Sequence, residues 1–372
     1  FITLAIISTI FPFVVLSSIH EPDAGPLTYF NSVYVTSSLS FFVLTLLCLV
    51  AFISDLKEKL KPGNIIKSYR KEIEIFISKS DKGDEESLDI AHERVNILKG
   101  IGIAVARERD DATFNEFLAT WLDLLMFSKI SWIQNVLGNS LPDIFKIVAV
   151  EDEIIAKRGL DALEVKILQL TNEVAKVKLL INLFPDVMEP LIKTNPEVVS
   201  LSLKKLRSIG QMGANMSKSQ EAPEIAIECI QALSEIGERA TMRGRPELTK
   251  ESLYEITNII HHHLSIKEIV ERGIGAIVGF KLFYFGDISP LKEFPKEIIT
   301  YANDRLIEIL DSVSTGSSKN LKMEYRIEIA NLIAPHVDVH DPADASRLVI
   351  IASRFLKDDE KNAEGLIKSI AR

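Results

Sequence analysis

The sequence predicts an all-α protein: an N-terminal two-helix transmembrane hairpin followed by a cytoplasmic helical-repeat domain of the α-solenoid kind. Three observations predict this. Lys and Arg are absent from the first 54 residues, whose only acids are Glu21 and Asp23. Proline–acid dipeptides recur at near-constant intervals through the rest of the chain. No convincing set of alternating or β-branched runs flanked by turns exists to build a sheet.

The charge asymmetry sets the domain plan. The 372 residues carry 43 Lys+Arg and 52 Asp+Glu, a net charge of -9, with 47% apolar and 26% charged residues. That excludes a disordered polymer and a collagen-like repeat, and the acidic balance disfavours a nucleic-acid partner. The uncharged start divides into spans at about 1–19 and 33–53. Nineteen helical residues cover roughly 28 Å, close to the roughly 30 Å hydrocarbon core. His20-Glu-Pro-Asp-Ala-Gly-Pro26 between them has turn composition. The chain opens on Phe1, so a processed or trimmed chain is expected; residues 1–19 lack the basic leader and the small-residue cleavage site of a signal peptide.

Orientation follows from the basic residues. Lys57, Lys59, Lys61, Lys67, Arg70 and Lys71 follow the second span, and the connecting loop has none. Positive-inside reasoning puts the remainder in the cytoplasm, with the plasma membrane as the expected bilayer and these six residues as candidate head-group contacts. The expected domains are residues 1–54, the hairpin; 55–87, a basic juxtamembrane helix (about 64–79) and polar linker; and 88–372, the repeat domain. Hydroxyls such as Thr36, Ser37 and Thr45 are the polar groups of the second span, expected to pack helix on helix. Cys48 and Cys229 are expected to stay unpaired.

The repeat is read from prolines. Pro142-Asp143, Pro196-Glu197, Pro246-Glu247, Pro295-Lys-Glu297 and Pro342-Ala-Asp344 stand 54, 50, 49 and 47 residues apart. Proline suits the first helical position, and an acid in the first turn meets the positive end of the helix dipole. Asn195 and Asp341 are placed as N-caps. Further starts fall at Pro185 and Pro223. Two units share register: Val198, Leu203, Leu206 and Ile209 match Leu248, Leu253, Ile256 and Ile259, offsets that lie near one helical face.

A helix-pair period of this size resembles HEAT or armadillo repeats. Ile225-Ala-Ile-Glu-Cys-Ile-Gln-Ala-Leu-Ser-Glu-Ile-Gly-Glu-Arg-Ala240 is similar to the second helix of a HEAT-type unit, and Leu206-Arg-Ser-Ile-Gly-Gln-Met-Gly-Ala214 echoes it; the other units lack the Ile-Gly pair. The resemblance covers 142–372, extending to 88 at most. It implies stacked helix pairs that present a long protein-binding surface.

Catalytic signals are weak. Gly100-Ile-Gly102 and Gly273-Ile-Gly275 lack the strand–turn–helix context of a nucleotide loop and read as close helix packing. His261-His262-His263 cannot face one ion from a helix, since neighbours point about 100° apart. His336, Asp338 and His340 would share one side of an extended segment, with ligand types that suit zinc, yet the segment also reads as an inter-helix turn. Phe117 to Leu137, very apolar and carrying Trp121 and Trp132, reads as core or as an interfacial helix. Glu151-Asp-Glu153 and Asp358-Asp-Glu360 read as solvated helix ends.

The sequence therefore points to a non-enzymatic, membrane-anchored scaffold with no cofactor, whose partners are the lipid bilayer and an unknown protein or further copies of itself. The alternatives are a subunit of an oligomeric channel or transporter, and a metal-dependent enzyme centred on His336 to Asp341.

Overall fold

The computed structural model of the chain describes residues 27–80, 85–127, 131–151, 153–170, 173–216, 222–283, 294–315, 321–338 and 342–358. Every regular element among them is helical. The chain divides into two compact units, Phe1–Ser68 and Tyr69–Arg372.

The first unit is dominated by α1, Leu27–Lys59, which contains the expected second span. Its segment Leu39–Lys59 has a mean hydropathy of 2.4 and no buried residue, so one helix among the described residues is long and apolar enough to cross a membrane. Leu39, Phe41, Leu44, Leu47, Val50 and Phe52 all point outward. The expected first span and the loop before Pro26 lie outside the described residues. Within α1 the Thr45 hydroxyl donates to the Phe41 carbonyl at 2.8 Å, which satisfies it inside its own helix. Lys57 and Lys59 close the last turn, where cations meet the negative end of the dipole. Pro62 then opens α2, Pro62–Ser80, at the position where its missing N–H costs nothing.

The second unit is a two-layer stack. After α2 come α3 (Glu85–Arg107), α4 (Asp111–Phe127), α5 (Ser131–Glu151), α6 (Glu153–Gln169), the short α7 (Val174–Ile181), α8 (Phe184–Met188) and α9 (Leu191–Thr194), then α10 (Pro196–Met216), α11 (Ala222–Met242), α12 (Pro246–His262), α13 (Lys267–Phe283), α14 (Phe294–Ser314), α15 (Met323–Ile333) and α16 (Pro342–Asp358). The expected polar linker ends sooner than residue 87, because Glu85 already opens α3 and Ser87 is buried. Contacts run to the following helix and to the counterpart one repeat later. α4, α6, α10, α12, α14 and α16 stack side by side as layer A; α3, α5, α8, α11, α13 and α15 stack as layer B, with α7 also against α11. That is the helix-pair architecture of a helical repeat protein.

Layer A helices begin at Asp111, Glu153, Pro196, Pro246, Phe294 and Pro342, spaced 42, 43, 50, 48 and 48 residues. Pro196, Pro246 and Pro342 open their helices and Pro295 follows one residue behind an opening. Pro185 and Pro223 also stand in first turns. Pro142 corrects the expectation: it lies inside α5, in layer B, and the helix that continues the layer A series starts at Glu153 without a proline. A proline in mid-helix leaves the carbonyl four residues earlier, that of Gly138, without its usual donor. In the same turn the buried Trp121 indole N–H donates to the Leu137 carbonyl at 3.0 Å.

The residue before each of two opening prolines ties successive repeats together. Asn195 (φ -138°) and Arg245 (φ -122°) are held out of helical geometry, as a following proline demands. The side chain of Asn195, an expected cap, turns to the preceding repeat, and Asp341, the other expected cap, lies outside the described residues. The Asn195 amide donates to Ala149 O at 3.1 Å and the Arg245 guanidinium to Lys193 O at 3.0 Å, each one repeat back.

The core follows the predicted register. Val198, Leu203, Leu206 and Ile209 of α10 and Leu248, Leu253, Ile256 and Ile259 of α12 are all buried. Phe114, Phe117 and Trp121 form a tilted aromatic row in α4, with centroids 5.9 and 5.4 Å apart, so the apolar stretch from Phe117 is core as far as it is described. The Ile-Gly pairs mark points of closest approach. A Cβ at Gly210 would lie 2.8 Å from Ile259, and one at Gly237 would lie 2.8 Å from the Phe280 ring.

Gly100 and Gly102 give an internal control. A Cβ at Gly102 would sit 2.2 Å from the Phe117 ring, whereas one at Gly100 meets nothing within 4 Å. Gly102→Ala is expected to destabilise by about 1–3 kcal/mol through overpacking. Gly100→Ala is expected to stabilise by roughly 0.5–1 kcal/mol through helix propensity. Thermal unfolding of the two full-length variants, followed by near-UV circular dichroism, checks the opposite signs.

Candidate interaction surface

The outer surfaces of a stack are built from the same positions repeated, so side chains on neighbouring helices meet laterally. In layer A, Lys205 of α10 reaches Asp161 and Glu164 of α6 at 2.5 and 2.6 Å, Lys157 reaches Glu197 at 3.4 Å, and Lys204 reaches Glu251 at 3.4 Å. Arg207 pairs with Glu255, itself buried, at 3.3 Å, Lys250 pairs with Glu297, and Arg354 reaches Asp311 at 2.5 Å. In layer B, Lys178 meets Glu224 and Glu228 at 3.2 and 3.0 Å, and Lys267 meets Glu328. Exposed pairs of this kind contribute little each, but a network fixes lateral register.

The densest node joins α8 to α11. Glu189 accepts from Arg239 at 2.9 Å and from Arg243 at 2.8 Å, and Arg239 also reaches Asp186 at 2.9 Å and Glu235. The hydrogen bond from Arg243, opposed by partial burial and aided by the charge of both arginines, holds the Glu189 carboxyl below its ordinary value. A cleft of about 680 Å³ opens here, lined by Pro142, Asp143, Lys146, Glu189 and Lys193 among others.

Two further surfaces stand out. On layer A, the Arg305 guanidinium lies 4.8 Å from the Tyr301 ring centroid and 5.7 Å from that of Tyr254, with the Lys250 ammonium 5.9 Å from Tyr301. Such cation–π contacts pre-order tyrosine and arginine, the side chains that anchor protein interfaces. A cleft of about 500 Å³ beside them is lined by Lys250, Lys296, Glu297, Thr300, Tyr301 and Asp304. On layer B, α11 and α13 leave a groove of about 780 Å³ between them.

The residues singled out in the sequence are not gathered into one site. Lys57, Lys59, Lys61, Lys67 and Lys71 are exposed. Arg70 is half-buried and bonded to Glu74 at 2.8 Å and Asp123 at 2.9 Å; Asp123 also accepts from Lys166. The histidine tract splits as its geometry requires. His263 is buried with Nε2 3.0 Å from Gly210 O, and His261 faces Ser312 at 3.3 Å and Glu308 at 3.9 Å. His336 ends a single 3-10 turn, Ala334–His336, and Asp338 pairs with the buried Lys281 ammonium at 2.8 Å. His340 lies outside the described residues, and no group of three or more metal-ligating side chains converges among the described ones. Cys48 and Cys229 are free, the second fully buried, which pushes its thiol up.

Sequence reasoning missed the polar node that holds this turn. Asn303 lies in the buried stripe of α14; its Oδ1 accepts from the Asp338 N–H at 2.8 Å and its Nδ2 donates to Asp338 O at 3.1 Å. Lys281 adds bonds to Asn303 Oδ1 at 3.3 Å and to the His336 carbonyl. The signal available was an amide and a lysine each standing within an apolar helical stripe.

Burial is the leading cause that lowers the pKa of both His261 and His263 below 6.5, with Glu308 opposing and Arg305 assisting at His261, and with hydrogen bonds to the backbone of Gly210 and Gln211 opposing and His262 assisting at His263. The unfolded chain therefore binds these protons more readily than the folded one. Stability is expected to fall as the pH drops through 6.5, and to stop falling from this source below the depressed values. Melting temperatures between pH 7.5 and 5 should decline by a few degrees more in the native chain than in the His261→Asn/His263→Asn variant.

No known protein family matches the sequence, and no curated protein matches it. Among solved structures the chain is similar to one described as a circular tandem repeat protein with novel repeat topology and enhanced subunit contact surfaces. The two are 13% identical, with a TM-score of 0.38, over 100% of this chain and 96% of that one. The helical-repeat architecture follows from the lateral stacking described above and not from this likeness.

Proposed function

We propose that the protein is a non-enzymatic, membrane-anchored helical-repeat scaffold. In this reading an N-terminal hairpin, of which α1 is the second helix, fixes it in the plasma membrane, and the stacked helices in the cytoplasm bind a protein partner. The observation that carries it is the contrast between α1, whose apolar side chains from Leu39 to Ile53 are unburied among the described residues, and a stack that buries an apolar core of its own. An apolar surface of that length in one helix fits hydrocarbon. A stack of repeats fits protein recognition, because it offers an extended ridged surface that no small substrate requires. Anchoring would raise the effective concentration of any partner at the same bilayer. The exposed lysines after α1 support the cytoplasmic orientation through the positive-inside rule.

Alkaline carbonate washing and cysteine labelling test the anchor. The chain is expected to stay with washed membranes. In a Cys48→Ala background, Ala24→Cys should react with an impermeant maleimide from outside intact cells, and Lys61→Cys only after permeabilisation. Release by carbonate, or labelling of Lys61→Cys from outside, would overturn the reading. A closed ring of copies that conducts ions in planar bilayers would replace it with the channel alternative.

A further inference from the structure

We propose that the groove between α11 and α13 docks a basic, lysine- or arginine-bearing peptide segment of a partner protein. The proposal deepens the scaffold reading and rests on it for the idea that the partner is a protein.

The groove exists because side chains are missing where the helices face outward. Gly275 and Gly279 lie one turn apart on α13, and a Cβ at either meets nothing within 4 Å. A Cβ at Gly273, on the opposite side of the same helix, would lie 2.5 Å from Ile260. α13 is therefore packed tightly on its inner face and left bare on its outer one. Ile227 and Ile230 of α11, with Ala276, complete an apolar floor, and the volume of about 780 Å³ lies within the range that holds several side chains.

The rim specifies the sign of the occupant. Glu238 of α11 and Glu268 and Glu271 of α13 line the groove, against one cation, Arg272. Glu238 accepts a hydrogen bond from Ser234 at 3.3 Å and has no ion pair among the described residues, although it is half-buried. Nor has Glu268, whereas lateral pairs such as Lys205–Glu164 and Lys178–Glu228 join other helices of the stack. Glu238 has its pKa raised, by burial first. A neighbouring group reports the same field. The Tyr325 hydroxyl, across α13 in a cleft of about 270 Å³ that Glu271 also lines, has no hydrogen-bond partner and is pushed up to about 12, by burial first and then by Glu271, Glu328 and Glu268. Carboxylates around an apolar floor complement a segment that alternates aliphatic and basic side chains, which would supply the counter-charges the groove lacks.

The full chain, purified in an uncharged maltoside detergent, provides the test. Fluorescence anisotropy is measured with two labelled, end-blocked 12-residue peptides, one repeating Leu-Lys-Lys-Ala and one repeating Leu-Glu-Glu-Ala. The lysine peptide is expected to bind and to weaken as salt is raised; the glutamate peptide is expected not to bind. Gly279→Leu, whose Cβ meets nothing within 4 Å, extends a side chain into the groove and should weaken binding at least tenfold with the melting temperature unchanged or raised. Glu238→Gln/Glu268→Gln should weaken it similarly. Equal binding of both peptides, or unchanged affinity in Gly279→Leu, overturns the proposal. Neither result bears on the carbonate and labelling experiments, so a failure of the groove and a failure of the membrane anchor are told apart.

Discussion

The lateral contact between a helix and its counterpart one repeat later is what the second unit depends on. α10 lies against α12, α12 against α14, and α11 against α13. Each of these helices is amphipathic and cannot bury its apolar stripe alone, so every repeat completes the core of its neighbour. The polar chemistry obeys the same spacing. The Asn195 and Arg245 side chains reach carbonyls 46 and 52 residues earlier, and Lys205, Lys250 and Arg239 reach acids 41, 47 and 50 residues away. Core, backbone ties and surface charges therefore enforce one period, which is why a stack forms without any single long-range clamp.

Much of this was legible because helix starts leave chemical marks. Proline at the first position followed by an acid is favoured for reasons internal to the helix, so Pro196, Pro246 and Pro342 disclosed their elements, and the shared offsets behind Pro196 and Pro246 disclosed the buried face. Pro142 misled for the same reason in reverse. Proline is compatible with a first turn but not confined to it, and nothing local distinguishes an opening from a tolerated interior position. The helices opening at Asp111 and Glu153 carry acids but no proline, so the first two repeats were invisible to that signal. The groove was less legible still. Gly273 and Gly275 are two residues apart in one helix, yet one is welded to Ile260 and the other faces open space, a difference that exists only once α12 and α13 are in place.

The Asn303–Lys281–Asp338 node shows a different economy. A lysine buried among apolar helices is costly unless its donors are met. Here they are met by the Asn303 amide of α14 and, from the single stretch 336–338, by a carboxylate and a main-chain carbonyl. Of the residues that looked in isolation like metal ligands, His336 and Asp338 are engaged in holding the segment after α15. His336 contributes its carbonyl to that node and Asp338 its carboxylate, which pairs with a protein cation.

Nearest-neighbour stacking has a mechanical corollary. Because each helix is braced only by those adjacent to it, a pull on the far end is borne in series, rung by rung, rather than shared across a single nucleus. Rupture would begin at α16, which has a lateral neighbour on one side only among the described residues and leaves Val349 and Ile350 facing outward. The interior rungs around α10 to α12 would yield last, so the described helices would fray progressively from α16 under tension instead of snapping at once.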